Sequence, residues 1–309
     1  MSKAKPKNIA ASVRQKLLNL SHKQGEPFEQ VAISYALERM LYRLSLSSRA
    51  DRFILKGAIL FRYWLPELRR PTLDMDLLGL GFHDVEEVLS VFREALSLPV
   101  LDDGLIFDGD TLQGSFIREG NQYHGVRVQL QSWLTTAKLS LQFDIGFGDA
   151  VLPKPIMMDL PPLLSFPSAR IAAYSRYSTV TEKFQAMTTL ALRNSRMKDY
   201  FDIWILSQHF SFDGGTLREA LEATFSRRNT PMPSEMPVGL SAEFGEATDK
   251  QAQWRGFLRR IGSKEDAPFP VIVKEIAAFL GPILFPADKK RLRNLKWAAK
   301  GPWLNINKL

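Results

Sequence analysis

Apolar residues recur at near-helical spacing early in the chain. In 28–46, Phe28, Val31, Ala32, Tyr35, Leu37, Leu41 and Leu44 are separated by Glu38, Arg39 and Arg43, a pattern that predicts a helix. The period then changes. Phe53-Ile54-Leu55-Lys56-Gly57-Ala58 is an apolar run that ends at a glycine, and Ile59 to Leu65 forms a short helical stretch stopped by Pro66. Thr72-Leu73-Asp74-Met75-Asp76-Leu77-Leu78 alternates with period 2, which predicts a strand with Leu73, Met75 and Leu77 on its buried face. Residues 84–97 read as another helix.

From 105 to 148 the period is again 2. Val126, Val128 and Leu130 alternate with Arg127, Gln129 and Gln131; Leu139, Leu141, Phe143, Ile145 and Phe147 alternate with Ser140, Gln142, Asp144 and Gly146. The short link 134–138 fits a hairpin. Five prolines between 151 and 168 interrupt both kinds of element and predict a boundary, with one domain over 1–160 and a second over 161–309. Beyond it the pattern is mostly helical. Thr179-Val180-Thr181-Glu182 has capping-box spacing and predicts a helix start that places Lys183 in the first turn. Tyr200 to Leu206 opens a further helix, 226–250 reads as a loop, and helical stretches follow near 249–261 and 268–281. The expected fold is α/β (α+β): a mixed sheet flanked by helices, then a mostly helical C-terminal domain.

Composition narrows the chemistry. The 309 residues are 45% hydrophobic, enough for a sizeable core, and contain no cysteine, so thiolate chemistry and disulfides are excluded. No run is long and apolar enough for a signal peptide or membrane span, so the expected location is the cytoplasm, with no membrane partner. The net charge of +8 lies entirely in 161–309. Lys289, Lys290, Arg291, Arg293, Lys296, Lys300 and Lys308 face only Asp288, with Trp297 and Trp303 among them. Two readings stay open: a patch for a phosphate-bearing partner with aromatics that stack on bases, or a solvated tail.

The sharpest local feature is Asp74-x-Asp76. On a strand, residues two apart share a face with Cα atoms roughly 6.5–7 Å apart. Two carboxylates at that spacing repel unless a cation lies between them, and Mg²⁺ takes one or two carboxylates plus substrate phosphates. Asp144 sits on the polar side of a second strand; if the two strands are neighbours, three carboxylates converge as ligands for metal-assisted phosphoryl transfer. Gly57, between a strand and a helix, offers a backbone that can approach a phosphate. A bare pair of exposed acids is the plainer alternative. His22, His83, His124 and His209 lack metal-ligand spacing, and no GxxxxGK[ST] or GxSxG segment exists.

The segment from Phe53 to Ala58 followed by Arg70-Pro71-Thr72-Leu73-Asp74-Met75-Asp76 resembles the first motif of the AbiEii/AbiGii nucleotidyltransferase family, within the DNA polymerase β-like superfamily. Glu182-Lys183-Phe184 and Arg196-Met197-Lys198-Asp199-Tyr200-Phe201-Asp202 are similar to its later motifs, and 37–44 to the helix before the first. The resemblance implies a nucleotidyltransferase-like fold and Mg²⁺ (or Mn²⁺) held by Asp74 and Asp76. It further implies NTP phosphates over Gly57 and Ala58, Lys183 reaching those phosphates, and Asp199 orienting Lys183 or the acceptor. Lys56 and Arg70 are further phosphate candidates, and the site is expected between the two domains. The implied reaction is NMP transfer from an NTP to an acceptor, foremost a tRNA, by a toxin opposed by an antitoxin. A protein or small-molecule acceptor, or a silent nucleic-acid-binding or interaction module, are the alternatives. The chain departs from the superfamily in having Ala58 where Ser or Gly is usual.

Overall fold

The computed structural model describes residues 8–67, 72–82, 84–119, 122–263 and 265–306. The chain divides into two compact units, Met1–Gly148 with Ile156–Ala173, and Asp149–Pro155 with Tyr174–Leu309. The fold is mixed α/β.

The first unit begins with α1 (Ile9–Gln24) and α2 (Phe28–Ser45), then β1 (Phe53–Lys56), α3 (Ile59–Trp64), β2 (Met75–Gly79) and α4 (Val85–Ser97). The long strands β3 (Leu105–Glu119), β4 (Gln122–Leu134) and β5 (Ala137–Phe147) follow, then β6 (Ile156–Leu160) and β7 (Ala169–Ala173). These seven strands form one sheet in the order β3-β4-β5-β2-β1-β7-β6. The β2–β5 and β1–β7 pairs are parallel and the rest antiparallel. One face is apolar by strict alternation: Leu55, Met75, Leu77, Val126, Val128, Phe143 and Ile145 are fully buried. Phe92 of α4 packs edge-on to Phe143 at 5.1 Å. Each such side chain contributes about 1.5–3 kcal/mol relative to exposure.

Every residue of α2 from Val31 to Leu41 is buried, including Glu38 and Arg39, and Arg43 follows them inside. The charges survive there because each is partnered. Arg43 Nη1 meets Asp103 Oδ2 at 2.7 Å. Arg39 Nη2 donates to the Pro167 carbonyl at 2.7 Å, and Glu38 Oε2 accepts the Leu163 N–H at 2.7 Å. The last two bonds tie the proline-rich stretch to α2.

That stretch is not free of regular structure, contrary to expectation. β6 fits between Pro155 and Pro161 as the outermost strand of the sheet, where a neighbouring residue without an N–H breaks no ladder. Residues 156–173 therefore stay with the sheet, past the boundary expected at 160.

The second unit is mostly helical, as its pattern implies: α5 (Arg176–Leu190), α6 (Met197–His209), α7 (Gly214–Arg227), α8 (Ala242–Glu246), α9 (Thr248–Arg260) and α10 (Phe269–Leu284). It also holds a small sheet too short to show in the sequence, of β8 (Phe212–Asp213), β9 (Leu295–Trp297) and β10 (Trp303–Asn305) in the order β10-β9-β8. Trp297 and Trp303 do not stand ready to stack on bases. Trp303 lies parallel to Phe279 at 5.9 Å and donates to the Phe279 carbonyl; Trp297 is buried and donates to the Ser207 carbonyl. Between them they fix the basic segment as a folded element, with Lys289, Lys290, Arg291, Arg293, Lys296 and Lys300 exposed. Among the described residues no helix is long and apolar enough to cross a membrane.

Candidate active site

Strand register brings four charged residues into one row on the face of the first sheet opposite its apolar core. Lys56 of β1 lies opposite Asp76 of β2, Asp76 opposite Asp144 of β5, and Asp144 opposite Arg127 of β4. Directly paired residues share a face, so the row reads cation, anion, anion, cation across four adjacent strands. β2 and β5 are indeed neighbours, the condition on which a meeting of Asp76 with Asp144 depended.

Asp144 is already engaged. Arg127 donates from Nε to Asp144 Oδ1 and from Nη2 to Asp144 Oδ2, both at 2.8 Å, and Gln142 Nε2 approaches Oδ2 at 3.4 Å. Hydrogen bonding to Asp144 raises the basicity of the Arg127 guanidinium; slight desolvation opposes this and the charge of Asp74 adds to it. Sequence reading missed Arg127, although it alternates with Val126 and Val128 as plainly as Asp144 does with Phe143 and Ile145.

Asp74 lies just before β2, and its Oδ1 accepts the Thr72 hydroxyl at 2.9 Å. Leu73 is 49% exposed, not buried as its alternation with Met75 implied, because the strand begins only at Met75. Gly57 adopts φ +80°, a left-handed conformation. A Cβ there would come within 2.7 Å of the Asp76 Cβ and Cγ, so the glycine is the surface against which the Asp76 side chain rests. Ala58 is the N-cap residue of the six-residue α3 and makes no side-chain cap. Arg70 lies outside the described residues.

Among the described residues no group of three or more His, Cys, Asp or Glu side chains is placed to hold a metal ion. The donor set fits Mg²⁺ in its other usual form, one or two carboxylates completed by substrate oxygens and water. Asp74 and Asp76 carry oxygen donors of that hard kind.

In the second unit, α5 begins earlier than the capping-box spacing indicated. Ser175 is its N-cap and accepts from the Ser178 N–H, whereas Thr179 donates to the Ser175 carbonyl and Glu182 accepts from the Tyr174 hydroxyl. Lys183 is therefore well inside the helix, clear of the positive end of its dipole. Its Nζ meets Asp199 Oδ1 at 3.1 Å and Asp202 Oδ2 at 2.6 Å, and Arg196 Nε reaches Asp199 Oδ2 at 2.6 Å. Both aspartates are fully buried. Burial alone would push the Asp199 carboxyl up; the Lys183 ammonium and Arg196 guanidinium outweigh it and hold Asp199 below the usual carboxylate range. Asp199 and Asp202 thus share the Lys183 ammonium, while Lys198 is exposed.

The family model for the nucleotidyl transferase AbiEii toxin of type IV toxin–antitoxin systems matches residues 39–280. Two Helicobacter pylori crystal structures resemble the chain. One, described as a candidate nucleotidyltransferase, is 11% identical, with 82% of this chain and 94% of that chain covered and a TM-score of 0.46. The other, JHP933, is 12% identical, with 82% and 91% covered and a TM-score of 0.47. A comparison with curated proteins finds no match. With more than half of its length inside the family model, the chain belongs to the AbiEii nucleotidyl transferase toxin family.

Proposed function

We propose that this toxin-type nucleotidyltransferase transfers NMP from an NTP to an RNA acceptor of the tRNA class, in the cytoplasm, and that a cognate antitoxin opposes it. The observation that carries the reading is the seating of Asp76 against Gly57, in register with Asp144 and Lys56.

Asp74 and Asp76 are the residues that would hold Mg²⁺, or Mn²⁺ in its place. Such an ion would supply charge neutralisation to the phosphoryl group. The protein's part is positioning. Gly57 keeps the backbone turn thin and sets the Asp76 rotamer; Thr72 holds Asp74 by its hydroxyl. Lys56, at the cationic end of the row, offsets the negative charge of the paired acids and of a triphosphate. In the second unit, Asp199 and Asp202 hold the Lys183 ammonium, the group that family resemblance assigns to the phosphates. The exposed cations of 289–300 suit a phosphate-rich acceptor.

The test is incubation with each α-³²P-labelled NTP, Mg²⁺ and total tRNA, beside Asp76→Ala. Label on RNA that disappears in the variant supports the reading. Label on protein alone moves the acceptor to a protein hydroxyl. No label from folded protein with any nucleotide leaves a silent binding module.

A further inference from the structure

The row across β1, β2, β5 and β4 has two acids at its centre, with Asp74 just outside it, and the surroundings of these acids differ. Both oxygens of Asp144 are taken by donors of the protein itself, Arg127 Nε on Oδ1 and Arg127 Nη2 with Gln142 Nε2 on Oδ2. Asp74, by contrast, accepts only the Thr72 hydroxyl on Oδ1 among the described residues. The cation that neighbouring carboxylates require is supplied to Asp144 by Arg127, which also interacts with the charge of Asp74.

Arg127 has capacity beyond this pair. A guanidinium carries five N–H donors in a rigid fork, and two of them are spent on Asp144. Its side chain is 41% exposed, against 20% for Asp144, and Nη1 makes no hydrogen bond among the described residues. The Asp144 clamp fixes the plane of the fork, so the remaining donors are presented in one orientation at the end of the row, where the charge of Asp74 is felt. A planar, oriented fork with free N–H groups matches phosphate geometry better than a mobile ammonium does.

We propose that Arg127 is a contact for the phosphates of the NTP, and that Asp144 is its positioning residue and not a metal ligand. This rests on the nucleotidyltransferase reading, and it assigns the two ends of the row, Lys56 and Arg127, to charge on the substrate and its centre to the metal and to orientation.

The experiment compares wild type, Arg127→Ala, Asp144→Asn, their double variant and Arg127→Lys, each first shown folded by its thermal transition. Binding of α,β-methylene NTPs is titrated in the presence of Mn²⁺, and bound Mn²⁺ is read by electron paramagnetic resonance at saturating analogue. Arg127→Ala should weaken the analogue roughly 10- to 100-fold, the loss of charge-assisted bonds. Asp144→Asn should weaken it comparably, the double variant should add nothing further, and Arg127→Lys should fall between. Bound Mn²⁺ should be unchanged in all. The inference is overturned if Arg127→Ala binds the analogue as wild type does, or if Asp144→Asn loses Mn²⁺ at saturating analogue. Wild type that binds no analogue with any base removes the nucleotidyltransferase reading instead.

Discussion

Gly57 and Asp76 are a matched pair: the left-handed turn at Gly57, φ +80°, leaves the space that the Asp76 side chain occupies. The glycine matters for two separate reasons, conformation and volume. Gly57→Ala meets both costs, since αL geometry disfavours an L side chain by roughly 1–2 kcal/mol and the new methyl would fall on the Asp76 carboxylate. Asp76 is the softer partner and should move. The expected outcome is a folded protein with a slightly lowered melting temperature and a loss of nucleotide incorporation on the order of 100-fold, the scale of an ångström's misplacement in a positioned site. Full activity in Gly57→Ala would show that the position of Asp76 does not matter.

Lys183 needs a different experiment, because its removal also takes away a cation that two buried aspartates share. Asp199 and Asp202 are fully buried and share the Lys183 ammonium. Lys183→Met should destabilise the protein, by at most about 3–5 kcal/mol, the usual range for removing one partner of a buried ion pair, with Arg196 still holding Asp199. Loss of activity in that variant alone therefore says nothing of catalysis. The triple variant Lys183→Met, Asp199→Asn, Asp202→Asn removes the charges together and should recover most of the melting temperature. If Lys183 serves the phosphates, this stable triple variant stays inactive. Activity that returns with stability would make the lysine a purely structural cation.

Much of the local structure around this candidate site was legible in the sequence, and the misses share a cause. The strand–glycine–helix order at 53–64 and the acids at 74 and 76 stand out because neighbouring residues fix them locally. The meeting of Asp76 with Asp144 depends on β2 lying beside β5, a pairing between segments distant in sequence that no period reveals. Arg127 was hidden for the same reason: its importance comes from its register with Asp144, not from its own neighbours. Leu73 and the cap of α5 failed at element ends, where one residue decides between strand and loop or between two serine and threonine caps. The tryptophans of 297 and 303 were read by composition, and their tertiary partner Phe279 overrode it.

Glu38 gives a pH dependence with a definite sign. Burial raises its carboxyl from the ordinary 4.5 to about 7, against the opposing pull of Arg39, the Leu163 N–H and Arg62. Because the folded value lies above the unfolded one, the unfolded chain releases its proton first as pH rises. Between about pH 4.5 and 7 the native state holds more protons, so this group's contribution to stability falls with rising pH, by about 3 kcal/mol at most. Above 7 the loss is complete and constant. Glu38→Gln keeps the shape and the acceptor for Leu163 N–H and cannot ionise. The difference in unfolding free energy between Glu38→Gln and wild type, measured by urea titration, should therefore grow in favour of the variant from pH 5 to 7. A difference that is flat with pH would mean that Glu38 ionises as freely in the native state as in the unfolded one.

The basic segment must be tested by charge, not by truncation. Removing 288–309 would take away Trp297 and Trp303, which cover Phe279, and the bond from the Lys300 N–H to the Ser207 carbonyl on α6. Loss of one large buried aromatic typically costs about 3–5 kcal/mol, so a truncated protein should fail to fold whatever the acceptor is. Lys289, Lys290, Arg291 and Arg293 are exposed, and their ion pairs with Glu222 and Asp288, at 3.4 and 3.7 Å, lie at the surface where such pairs contribute little. Replacing all four by Gln should leave the melting temperature within a degree or two of wild type. If these cations hold the RNA backbone, the logarithm of tRNA affinity should depend less steeply on the logarithm of salt concentration. For a single strand, every phosphate that the protein no longer neutralises reduces that slope by about 0.7. If nucleotide affinity is set away from this segment, as the proposed site requires, analogue affinity should not change. An unchanged salt slope with a normal melting transition would remove this segment from RNA binding and leave it as the folded cover of Phe279.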